Sequence, residues 1–294
     1  MSEERFRWGR EAAAPTEGEV ARLRDALRSD RRLSGWKLER TLSRSHQVYL
    51  AKTNVEALRR GYTEAVAATI YVTSGDMLGS AEIQLRPGEA DLVSQKIDEA
   101  LVVARTAEVR PYPLAPQTEL PVVEIEDPEI TRTPERALEN AHELLVSLAD
   151  AERDLRLASA EIYVSHETIS FENSEGLRAD RSGTRVTAEV VVIGLGPNQS
   201  EAEIQGLLYR RRLPDLELSD WIPRLSTEAR DATRARPPSL TGIPVVIGAE
   251  AVPSFVGPLQ LQTSATSSFQ GTTTWELGDP IFEGERRGDG LTLY

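Results

Sequence analysis

The sequence predicts an α+β protein of two lobes, and three observations carry that reading. Amphipathic helices alternate with blocks of short strands, first as helix–strands–helix and then as helix–strands. Five prolines fall between 109 and 131 and separate the two blocks. Aromatic residues make up only 5% of the 294, so each core is expected to be built from Ala, Val, Leu and Ile. The expected division is an N-terminal helix and antiparallel-sheet lobe over 1–108, a linker over 109–131, and a second, β-rich α+β lobe over 132–294. That second lobe is expected to be incomplete.

Each element has its own signal. Thr16 and Glu19 stand three apart, as a capping box requires, and Val20, Leu23 and Leu27 follow at helical spacing. Over 36–86 the pattern changes to short extended runs. Residues 47–50 alternate, 66–72 are largely apolar and β-branched, and Ala81, Ile83 and Leu85 alternate with polar neighbours. Gly61, Ser74-Gly75-Asp76 and Pro87-Gly88 punctuate these runs, which predicts an antiparallel meander. Val93, Ile97, Ala100, Leu101 and Ala104 then form one face of a second helix.

Pro111, Pro113, Pro116, Pro121 and Pro128 deny the next stretch a regular helix. Thr133-Pro134-Glu135 starts a helix whose expected buried face is Ala137, Ala141, Leu144, Leu148 and Ala151. Strands are expected at 160–164, 168–172 and 185–193, the last with Val186, Ala188, Val190 and Val192 on one face. Asn173-Ser174-Glu175-Gly176 and Gly196-Pro197-Asn198 read as turns between strands. A polar helix is expected from Ser219 to about Arg234, ended by Pro237-Pro238. Residues 242–247 read as a buried strand, and the Ser/Thr-rich 263–274 as a loop. Leu291-Thr292-Leu293-Tyr294 is strand-like and follows the turn signal Gly288-Asp289-Gly290, so the sequence is expected to be shorter than its fold.

Composition narrows the function. With 34 basic and 47 acidic residues the net charge is −13, which disfavours a nucleic-acid partner. The longest basic cluster is Arg210-Arg211-Arg212. There is no cysteine, hence no disulfide, thiolate ligand or cysteine nucleophile. No apolar run approaches a membrane span and Met1-Ser2-Glu3-Glu4-Arg5 lacks a leader's apolar core, so the expected setting is cytoplasmic.

Catalytic motifs are incomplete. A thermolysin-like zinc helix needs two histidines one turn apart with a glutamate between them. His142-Glu143 and His166-Glu167 begin that motif and neither completes it; the third histidine, His46, is remote in sequence. Gly194-Leu195-Gly196 lacks the third glycine of a dinucleotide loop. Glu124 and Glu126 read as a solvated face of the linker. The residues alone assign no catalytic, cofactor-binding or metal-binding side chain.

Several phrases, taken in order, resemble the TldD/PmbA family. These are 66–85 with the helix after it, Ile169-Ser170-Phe171-Glu172-Asn173-Ser174-Glu175-Gly176 with the extended 185–193, 242–252, and Leu277-Gly278-Asp279-Pro280 with the tail. The family comprises bacterial and archaeal proteins once labelled modulators of DNA gyrase and now regarded as peptide-processing metalloproteases. Its TldD-like members carry zinc through HExxxH, just after the segment that 244–252 resembles, and through a later Cys. Residues 252–260 here contain neither His nor Glu. The resemblance is therefore to the PmbA/TldE-like, non-catalytic subunit. It implies no cofactor of its own, a heterodimer with a TldD-like zinc-bearing homologue, and unfolded peptide reaching the complex. A stand-alone peptide- or protein-binding scaffold of the same fold is the alternative, and a metallopeptidase with atypical ligands a further one.

Overall fold

The computed structural model describes residues 14–106, 108–237, 239, 242, 245–248, 251–276 and 278–281. The chain forms two compact units, Met1–Ala235 and Arg236–Tyr294. The larger unit holds α1 (Glu17–Ser29), β1 (Gly35–Ala51), β2 (Asn54–Ser74), β3 (Met77–Leu85), α2 (Val93–Ala104) and β4 (Glu108–Val109). It continues with α3 (Pro128–Arg132), α4 (Pro134–Ala151), β5 (Leu155–Asn173), β6 (Arg178–Leu195), β7 (Glu201–Arg210) and α5 (Leu218–Ala232).

The α+β class holds, but the expected partition into separate sheets does not. One seven-stranded antiparallel sheet runs β4-β3-β2-β1-β5-β6-β7. Two meanders meet where β1 pairs with β5, from Lys37 opposite Asn173 to Ala51 opposite Ser159. Because β1 and β2 are 17 and 21 residues long, each reaches both of two hydrophobic clusters. One cluster gathers Val20, Leu23, Leu38, Ile70 and Ile97 beneath α1 and α2. The other gathers Val48, Leu145, Ile162, Val190 and Ile222 beneath α4 and α5. Both cores therefore lie on one sheet, and the second draws Val48 and Leu50 from the first block of strands.

The stretch 109–131 is a strap rather than a linker between sheets. Its prolines do keep it from helix as far as α3, yet its backbone is tied down. Pro116 bridges Gly176, Asn173 Nδ2 donates to the Ala115 carbonyl at 2.8 Å, and the Thr184 N–H donates to the Ile125 carbonyl at 3.1 Å. The chain instead divides into its two compact units after Ala235.

Local chemistry accounts for the elements. The Thr16 hydroxyl accepts from the Glu19 N–H while the Glu19 carboxylate accepts from the Thr16 N–H, closing the expected capping box. All five expected residues of α2 are buried. In α4 the buried face is Ala137, Leu138, Ala141, Leu145 and Ala149, and Leu144 is 46% exposed. The expected stripe is rotated because α4 packs on β5 and α5 together, and that corner selects the 138–141–145–149 spacing. Gly194 and Gly206 let α5 sit directly on the strands. A Cβ at Gly194 would lie 2.5 Å from the Ala229 carbonyl carbon, and one at Gly206 2.7 Å from the Trp221 ring. Gly176, with φ +87°, closes the Asn173 turn, whose side chain accepts from the N–H groups of Glu175 and Leu177.

In the smaller unit, residues 245–248 are not a strand, and Val246 is 96% exposed. A strand needs a partner backbone, and no strand occurs among the described residues of this unit. The rest of the expected 242–247 strand includes 243 and 244, which lie outside the described residues, as does 291–294. The expected loop at 263–274 contains α7 (Ala265–Gln270), preceded by α6 (Val252–Gln262). Ser264 caps α7 by accepting from the Ser267 N–H, and Gly271 ends it at φ +65°.

Candidate functional site

The antiparallel register places even-numbered residues of β1, β2, β5 and β6 on the face that carries the helices. Both ends of that face are apolar and covered. Its middle is a polar saddle, made by 40–46 of β1, 60–64 of β2, 166–172 of β5 and 178–184 of β6.

Towards α1 the saddle opens as a groove of about 450 Å³, whose lining includes Arg24, Arg28, Arg40, Glu172, Arg178 and Asp180. Most of its charge is internally paired. Glu172 holds Arg24 and, at 3.3 Å, Arg28. Arg40 pairs with Glu17 and, at 2.6 Å, with Glu64, whose side chain is 3% exposed. The Tyr62 hydroxyl donates to the same Glu64 at 2.8 Å, and the Arg44 guanidinium lies 5.8 Å from the Tyr62 ring centre.

The three histidines have separate environments. His142, on α4, approaches the Leu138 carbonyl at 3.2 Å through Nδ1. His46 faces Glu135 at 3.3 Å, and Glu135 also pairs with Arg60. Burial holds the His46 imidazole below its ordinary pKa, with Glu135 opposing and Arg60 assisting. His166 Nε2 lies 2.7 Å from Ser182 Oγ and 3.1 Å from Glu126 Oε1. The Ser182 hydroxyl and His166 together lower the Glu126 carboxyl below its usual range.

Ser182, His166 and Glu126 are the residue types of a nucleophile relay, but not its geometry. A relay needs the carboxylate on the ring nitrogen opposite the hydroxyl. Here both oxygens meet Nε2, so the trio anchors the strap to the sheet. Glu126 keeps 41% of its side chain exposed, as a solvated face implies, and is also tied to the sheet through His166. Among the described residues no group of three His, Asp or Glu side chains is placed to hold a metal ion. The stretch 252–260, which the family resemblance aligns with a zinc helix, does lie in a helix, α6, and carries no ligand there.

Among the described residues the saddle thus presents paired charges and hydroxyls without an assembled relay or metal cluster. A long, antiparallel sheet with helices packed at both ends of one face defines the class of protein. Three solved structures share this fold. TldE from Thermococcus kodakarensis superposes with a TM-score of 0.56 at 15% identity, over 71% of this chain and 47% of its own. A proposed modulator of DNA gyrase from Thermotoga maritima gives 0.54 at 16% identity, over 72% and 47%. A second, from Bacteroides thetaiotaomicron, gives 0.62 at 12% identity, over 87% and 59%. The chain spans about half the length of the structures it matches. No protein-family model and no curated protein matches the sequence. Among the described residues no helix is long and apolar enough to cross a membrane.

Proposed function

We propose that this chain is a TldD/PmbA-family protein acting as the non-catalytic, TldE-like subunit of a cytoplasmic peptide-processing metalloprotease complex. The observation that carries the reading is the likeness in fold to TldE and to two proposed gyrase modulators over 71–87% of the chain. The absence of His and Glu from 252–260 supports the non-catalytic role. In this reading a zinc-bearing homologue supplies the hydrolytic centre, and this chain supplies polar walls that hold unfolded peptide.

Affinity capture from native cells with mass spectrometry tests it. An HExxxH-bearing homologue should be the main companion, and the purified chain alone should bind no stoichiometric zinc and cleave no peptide. Tight one-to-one zinc lost on changing His142 or His166 overturns the reading. Recovery as a monomer at micromolar concentration without that companion favours a stand-alone binding scaffold.

A further inference from the structure

The face of the sheet opposite the helices carries a feature that the subunit reading does not use. Across its centre the register aligns Ser43, Glu167 and Gly183, with Ser165 opposite Arg185 and Ile169 opposite Arg181. Arg211 folds in from the end of β7 and is fixed by donating to the Thr184 carbonyl at 3.4 Å. Together these residues bound a shallow hollow of about 80 Å³.

Its charge is lopsided. Three guanidiniums face it against one carboxylate, Glu167, in a chain with 13 more acids than bases. On the helix side Arg24, Arg28, Arg40 and Arg60 all meet carboxylates. Among the described residues, Arg181, Arg185 and Arg211 form no ion pair, although Glu167 is within the same hollow. Holding three like charges together is unfavourable unless an anion relieves it. Planar guanidiniums suit an oxyanion that accepts two parallel N–H bonds, and the Ser43 and Ser165 hydroxyls can add donors. Glu167 offsets one of the three positive charges and leaves the hollow a net formal charge of about +2, which suits an oxyanion, whether a carboxylate or a phosphoryl group.

We propose that Arg181, Arg185 and Arg211 form a binding site for an oxyanion group of a small ligand or chain end, with Glu167 offsetting one of their three positive charges. The inference stands independently of the proposed subunit role, because it is read on the chain alone and needs no partner.

The test is titration of the full chain, labelled at arginine Nε, followed by NMR. N-acetylglycine and inorganic phosphate should shift arginine signals saturably, the tighter of the two marking the ligand group as a carboxylate or a phosphoryl, while the neutral N-acetylglycinamide should not. The Arg181→Gln/Arg211→Gln double variant should lose on the order of tenfold in affinity. Glu167→Gln, which removes a repulsion, should gain a few-fold. An unchanged thermal melt for both variants excludes misfolding as the cause. No saturable response to either anion, an equal response to the amide, or weaker binding by Glu167→Gln would each overturn the assignment.

Discussion

The backbone N–H of Asp127 donates to the buried hydroxyl of Thr184 at 2.7 Å, joining the end of the strap to β6. The same hydroxyl donates to the Arg211 carbonyl at 2.7 Å. Asp127 completes the knot: its carboxylate accepts from the Glu129 N–H, capping α3, and from the Leu213 N–H. Thr184→Val should leave a buried donor and a buried acceptor unmatched. A loss of about 2 kcal/mol or more in urea unfolding is expected. A loss below about 0.5 kcal/mol would show that the knot contributes little.

Ser226→Ala should behave in the opposite way. The Ser226 hydroxyl is fully buried on α5 and has no hydrogen-bond partner among the described residues. Removing an unmatched polar atom should be neutral, or stabilise by up to about 1 kcal/mol. The same unfolding assay reads this, and clear destabilisation would count against it.

Two glycine substitutions should also diverge. Gly194→Ala places a methyl against the backbone of α5, which cannot yield as a side-chain tip could. Destabilisation of about 1–3 kcal/mol is expected, the usual range for overpacking. Gly18→Ala lies in the first turn of α1, where a Cβ meets only the Thr16 hydroxyl at 3.9 Å. Helix propensity should then add about 0.5–1 kcal/mol of stability. Melting temperatures moving in the same direction for both would contradict this.

Stability should depend on pH through His46. Its folded pKa lies below the ordinary 6.5, so it stays neutral in the fold while the unfolded imidazole takes up a proton. This contribution is complete above pH 6.5 and is lost as pH falls from there towards the folded value. His46→Gln should flatten the fall in stability between pH 7.5 and 5.5, measured by denaturation at each pH. An unchanged slope would place the effect elsewhere.

The sequence made the ends of the strands legible and hid their middles. Residues 66–72 and 185–193 alternate beneath helices, so burial on one face leaves a period-two pattern. The stretches 40–46 and 60–64 are polar on both faces, because the saddle is not covered, and periodicity there carries no sign of a strand. The same gap split one continuous sheet into two apparent lobes. β7 was hidden by its short buried face, where Gly206 stands between Ile204 and Leu208. The Glu126–His166–Ser182 cluster has no linear spacing to recognise, since strand register and the strap bring its members together.

The seam between β1 and β5 sets how the sheet must assemble. The Trp36 N–H reaches the Ser174 hydroxyl across 138 positions of chain, whereas β2 follows β1, and β6 follows β5, through short turns. Each meander can therefore pair early with its own neighbours, while the two remain strangers until a long loop closes. That closure costs entropy before its contacts return any free energy, which places the sheet among slow, high-contact-order topologies. Until it happens β1 and β5 each carry a bare edge of 15 or more residues, and the nascent chain is most open to wrong partners at the centre of its finished sheet.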